Sequence, residues 1–109
     1  MAQAVFVQEG ASIDYTPGAD VAAGDVVVQG DLVGVAKLDI KANKLGALAV
    51  DGVFDFAKVA ATALAAGTIV YWDDAANVAT STAAGNKQIG KVVKAAADAD
   101  ATVRVRMNQ

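Results

Sequence analysis

"TVRVRM", residues 102–107, alternates more cleanly than any other stretch of this chain. On an extended backbone Val103, Val105 and Met107 fall on one side and Arg104 and Arg106 on the other. A period of two marks a half-buried β-strand, because successive side chains point to opposite faces. The strand sets the class to look for in the rest of the chain, which is all-β.

Working outward, other stretches repeat the pattern. From Val53, the run "VFDFAK" puts Val53, Asp55 and Ala57 on one side and Phe54, Phe56 and Lys58 on the other, with Gly52 marking a bulge or bend. "GTIVYWDDAANVAT" reads as a hairpin whose loop is residues 73–77, and "KQIGKVVKA" as a further strand. Toward the N-terminus, Ser12–Thr16 alternates up to a Pro17-Gly18 turn. Asp25–Gln29 then closes at Gly30-Asp31 and continues into "LVGVAKLDI". Ala4–Gln8 reads as a first short strand ending at Gly10. Seventeen valines against five leucines suit such a fold, since β-branched side chains pack well on a pleated surface. About eight short strands at close spacing predict a compact β-sandwich or a small barrel, folded as one β domain over residues 1–109.

One segment is ambiguous. "AKVAATALAAG", residues 57–67, has the alanines of a helix and a glycine placed to end it. Three turns are marginal without packing. The segment is read as an ordered connection or, at most, one short helix near 57–66.

The chain also echoes itself. "DVAAGDVVVQ" at 20–29 resembles "ALAAGTIVYW" at 63–72, an offset of 43, and "VGVAKLDI" at 33–40 resembles "IGKVVKAA" at 89–96. The spacing between the echoes differs by 13 residues. Two related β-units follow as one reading, packed face to face, the second with an extra loop or hairpin. Chance similarity in an Ala- and Val-rich chain is the other.

"AAGNKQIGKVV", residues 83–93, carries most of a phosphate-binding loop, G-x-x-x-x-G-K-[ST]. Val92 stands where the pattern needs a hydroxyl for Mg²⁺, and a strand-like pair follows Lys91 where a helix should begin. The segment is therefore read as a turn at Ala84–Asn86 leading into a strand. Asp73, Asp74 and Asn77, or Asp98 and Asp100, offer oxygens to a cation, but the calcium-loop pattern is missing. Such residues more often close turns on the backbone.

Composition removes other chemistries. The chain has no Cys and no His, hence no disulfide, thiolate or histidine-base chemistry and no Cys/His zinc site. Ser12 and Ser81, the only serines, lie in no nucleophile elbow. A net charge of −3 and a pI near 4.6 give no electrostatic footprint for nucleic acid. Lys37, Lys41 and Lys44, interleaved with Asp39, make at most a local patch. No stretch approaches the ~20 apolar residues of a membrane span, and "MAQAVFVQEG" does not read as a signal peptide. The chain is read as a non-enzyme without cofactor or metal.

"FVQEG" at 6–10 and "IDYTPGADVAAGDVV" at 13–27 resemble the opening of a family of small tailed-phage proteins, once grouped as a domain of unknown function and sometimes labelled a predicted recombinase. "ALAVDGVFDFAK" at 47–58, "AAGTIVYWDDAANVAT" at 65–80, "IGKVV" at 89–93 and "VRVRM" at 103–107 continue the resemblance in order. The family is that of capsid cement, or decoration, proteins. The resemblance implies a protein made in the host cytoplasm that ends on the outer surface of the virion. There it would bind the major capsid protein and bridge neighbouring subunits, as a homo-oligomer with a trimer favoured. A recombinase finds no support in these residues. A head fibre base, a tail or baseplate component, or a small-ligand or cation-binding domain are the alternatives.

Contact with the capsid or a second protomer would fall first on an N-terminal arm at residues 1–10, where Val5, Phe6 and Val7 have apolar surface to bury. The competing reading keeps these residues as an edge strand. Tyr15 and Trp72 are the other contact candidates, Trp72 as core or as a rim residue with one wet edge.

Overall fold

In the computed structural model, which describes residues 3–6, 8 and 10–108, the alternating stretch at 102–107 is a strand with its valines and methionine buried and its arginines exposed. Nine strands form in all among the described residues: β1 Ser12–Tyr15, β2 Val26–Gln29, β3 Leu32–Ala36, β4 Gly46–Ala49, β5 Gly52–Ala57, β6 Ile69–Asp73, β7 Val78–Thr80, β8 Lys87–Lys94 and β9 Thr102–Met107. They make two antiparallel sheets, ordered β1-β4-β3-β2 and β5-β9-β8-β6-β7. Neither closes on itself, so the sandwich reading holds and the barrel reading falls. The chain changes sheets between β4 and β5 through Gly52, whose φ of 118° only glycine adopts without strain. Only two residues apart, β4 and β5 thus belong to different sheets.

The self-echo is structural. In the first sheet Val26 pairs with Val35 and Val27 with Gly34; in the second Ile69 pairs with Lys91 and Val70 with Gly90. Val21 bridges Ile40 as Leu64 bridges Ala96. Gly24 donates to the Ala36 carbonyl at 2.6 Å, and Gly67 to that of Val92 at 2.7 Å, both with φ near 90°. The same two sequence offsets relate every one of these pairs. Ile13, Leu48 and Ala36 form one cross-strand row, matched by Phe54, Val105 and Val92. Each unit thus runs first, fourth, third, second strand across its sheet. The additional residues of the second unit are the 74–86 segment containing β7, which lies at that sheet's edge.

The packing of the units differs from the face-to-face expectation. The face of the first sheet bearing Ile13, Tyr15, Val27, Ala36 and Leu48, here called its front, has its own small core with Val21 and Ile40. The matching front of the second sheet (Phe54, Phe56, Val70, Val92, Val105) faces Val26, Val28, Val33 and Val35, which are on the back of the first sheet. The units stack front to back. Strand β3 is consequently buried on both faces, and each valine it buries contributes on the order of 1.5 kcal/mol.

One further expectation is corrected, and of the two readings of 57–66 the ordered connection holds. Among the described residues Ala4–Phe6 and Gln8 are in no strand, and the first strand starts at Ser12. No helix forms over 57–66: Leu64 exchanges both backbone hydrogen bonds with Ala96 at 2.9 and 2.8 Å, and Ala61 has a φ of 56°. Pairing with a neighbouring segment outweighs the intrinsic preference of alanine.

The phosphate-loop segment is also resolved. Gly85 turns at a φ of 76°, and Gly90 and Lys91 sit inside β8, not at a helix start. Gly90 is there because of close approach: a Cβ on it would stand 1.9 Å from the Arg106 carbonyl oxygen. At the matching Gly34 a Cβ would meet the Leu48 side chain at 2.9 Å. Backbone cannot yield as a side chain can. Urea unfolding of Gly90→Ala should therefore show a loss of about 3 kcal/mol or more, and Gly34→Ala a smaller one, of about 1–2 kcal/mol; equal losses would contradict the packing described.

Candidate functional site

The chemistry-bearing side chains are directed at the backbone. Asp73 Oδ1 accepts from the Ala75 and Ala76 amides at 3.1 Å, closing the β6–β7 turn. Asp100 accepts from Ala97 at 2.8 Å, Asp25 from Ala22 at 3.0 Å, Asp39 from Ala23 at 2.8 Å and Asp20 from Ala42 at 2.8 Å. Asp73, Asp100 and Asp25 thus close turns, as short polar side chains in loops commonly do, while Asp39 and Asp20 tie the 20–23 and 39–42 segments to each other. No group of three or more metal-ligating residues gathers among the described residues.

Lys58 is the buried charge of the fold. Its alternation with Phe54 and Phe56 carries it inward, where Nζ donates to the carbonyls of Thr62 at 2.5 Å, Val59 at 2.8 Å and Asp98 at 3.4 Å. The ammonium gathers three carbonyls from the 59–62 and 98 loops and fastens one end of the second unit. Lys58→Met leaves those carbonyls without their donor and should cost about 2–3 kcal/mol in chemical denaturation, with the strand spectrum retained. An unchanged midpoint would show that the loops hold without it.

Three exposed ion pairs form among the described residues, and two of them tie strands to partners distant in sequence. Lys87 meets Asp31 at 2.7 Å, joining β8 to the β2–β3 turn across the two sheets, and Arg104 meets Asp55 at 3.0 Å across β9 and β5. Hydrogen bonding to Lys87 holds the Asp31 carboxyl below the usual carboxylate range, and hydrogen bonding to Arg104 does the same for Asp55 while raising the guanidinium. A carboxylate with a lowered folded-state pKa adds stability above its unfolded value, about 3.9, and loses it as pH falls through the folded value. Both pairs are solvated, so the contribution is small. The double variant Asp31→Asn/Asp55→Asn should flatten the acid limb of stability below about pH 4 and leave its neutral plateau nearly level. A steeper acid limb would reverse the sign argued here.

A groove of about 660 Å³ opens where the edges β2 and β5 meet, lined by Val26, Val35, Phe54, Phe56 and Trp72 with Asp25 and Asp55. Both carboxylates are already engaged, one with the Ala22 amide and one with Arg104. The groove is a seam between the two sheets with a lining part apolar and part polar.

The contact candidates land in three different settings. Val5 and Phe6 are 76% and 79% exposed, and the arm's nearest tie is Gln8 Nε2 donating to the Ser12 carbonyl at 2.8 Å; Val7 lies outside the described residues. Tyr15 is half-buried on the front of the first sheet. Trp72 is buried, its ring 6.0 Å from that of Phe56, and its Nε1 donates to Asp74 at 3.1 Å. The structure does not bring the three together. Sequence reading passed over Lys58 as a site of interest, although its place in the alternation already carried it inward.

A family profile described as phage cement protein matches residues 7–107. The chain belongs to the phage cement proteins. The capsid-associated, structural role of that family is what this member carries, and it agrees with acids and an internal lysine that are used to hold loops. No curated protein and no solved structure matches the chain. No helix among the described residues is long and apolar enough to cross a membrane.

Proposed function

We propose that this cement protein binds the outer surface of the phage head and stabilises it by bridging neighbouring major capsid subunits, without catalysis and without a cofactor. The family match over residues 7–107 carries the reading. A filled head is under internal pressure, and a clamp across subunit junctions resists it by adding contact area. Such a clamp needs a stiff core, loops that do not fray and apolar groups left over for its partner. The two-sheet core, the side-chain-closed loops and the exposed Val5 and Phe6 meet those needs.

The arm at residues 1–10 is the first capsid contact in this reading. Val5 and Phe6 take no part in a strand of their own chain, so their burial is available to a partner. Tyr15 is a second contact; Trp72, with its ring inside the core, shapes the surface through the loop at Asp74. The protein acts as a homo-oligomer, a trimer matching the threefold and local threefold positions of a shell, so that several modest contacts act together.

Purified protein added to heads that lack it should restore their resistance to heat or chelator. Deletion of residues 1–10 should weaken attachment to heads at least tenfold while changing unfolding free energy by less than about 1 kcal/mol. Outright unfolding of the truncated chain would make the arm part of the fold; full attachment without it would remove the arm from the interface.

A further inference from the structure

The two units place the same residues on their fronts but do not cover them equally. In the second unit Phe56, Leu64 and Val70 are 3%, 3% and 0% exposed, because the back of the first sheet lies over them. Their counterparts in the first unit, Tyr15, Val21 and Val27, are only half-buried, and no strand of the described residues lies over that front. Front-to-back stacking leaves one front and one back with no sheet against it in each chain, although Val21 and Ile40 already help bury Ala36 and Leu48 on that front.

The unused back is on the second sheet, and its chemistry suits that front. Cross-strand pairing sets Val53, Arg106, Lys91 and Ile69 in one row across it, with Asp55, Arg104 and Lys94 in the next. Ile69 occupies the position that Val26 holds on the back already in use, and Val53 and Val93 add exposed apolar surface. Four cations against two carboxylates, Asp55 and, further along β6, Asp73, make this face basic on a chain whose net charge is −3. Two loops reach the margin of that front: the 17–25 loop that brings Val21 carries Asp20 and Asp25, and the 37–45 loop that brings Ile40 carries Lys37, Lys41 and Lys44 with Asp39, Lys41 meeting Asp20.

We propose that the Tyr15 front of one copy is an interface for the basic back of the second sheet of another copy, continuing between chains the stacking that exists within one. Tyr15 would then lie against the Lys91 and Arg106 row, an aromatic face toward cations, with apolar contact from Ile69 and Val53. Because the two surfaces differ, the contact is head to tail and closes into a ring or runs on according to its rotation. This specifies the homo-oligomer proposed above and so rests on that part of the reading; it is tested without heads, so its failure and the failure of head binding are separate results.

Sedimentation of purified protein over a range of concentrations tests it. Wild-type protein should self-associate. Lys91→Glu/Arg106→Glu, at exposed positions, and Tyr15→Lys should each weaken self-association at least tenfold while keeping the strand spectrum; Tyr15→Ser replaces Tyr15→Lys if the latter does not fold. The decisive sample is the mixture. The front variant keeps its back and the back variant keeps its front, so together they should form a 1:1 dimer that grows no further. A wild-type protein that stays monomeric, a back variant that associates as wild type does, or a mixture that stays monomeric overturns the proposal.

Discussion

Val33 and Val35 on one face of β3, and Gly34 and Ala36 on the other, make that strand a wall shared by two cores. Both sheets depend on it. Its valines close the larger core against Trp72, Phe56 and the β8–β9 pair, while Ala36 and Leu48 support the smaller core beneath Ile13 and Tyr15. A strand with water on one side could not join two units in this way. It tolerates double burial because Gly34 lets Leu48 approach and because its polar backbone is spent on β2 and β4.

The loops follow from the same economy of parts. A chain with 26 alanines has little side-chain bulk with which to pin its connections, so hydrogen bonds do the pinning. Asp20, Asp25, Asp39, Asp73 and Asp100 accept from loop amides, and Lys58 draws three carbonyls inward. Groups that would suggest catalysis or cation binding in isolation are committed to holding geometry.

Much of this was legible beforehand. The 102–107 strand, the shared side of Phe54, Phe56 and Lys58 and the 73–77 turn are local patterns, and each forms as read; of the two readings of the self-echo, related units is the one the pairing bears out. The 13-residue difference between the echoes is occupied by the segment holding β7. The N-terminal strand was misread for a physical reason: Val5 and Phe6 have strand propensity, but no strand among the described residues pairs with them. The helix alternative over 57–66 failed because Leu64 had a backbone partner 32 positions away in Ala96.

Sequence alone settled the all-β class and the absence of histidine and thiol chemistry, since alternation and residue type are properties of the chain itself; it raised the doubled plan, which the strand pairing decided. Only the tertiary structure decided that the units stack front to back, that Lys58 is a buried staple, and that Tyr15 stays half-open while its counterpart Phe56 is sealed. Those outcomes turn on which face meets which across distant segments. Alternation tells the two faces of a strand apart, but it does not say what each one will touch.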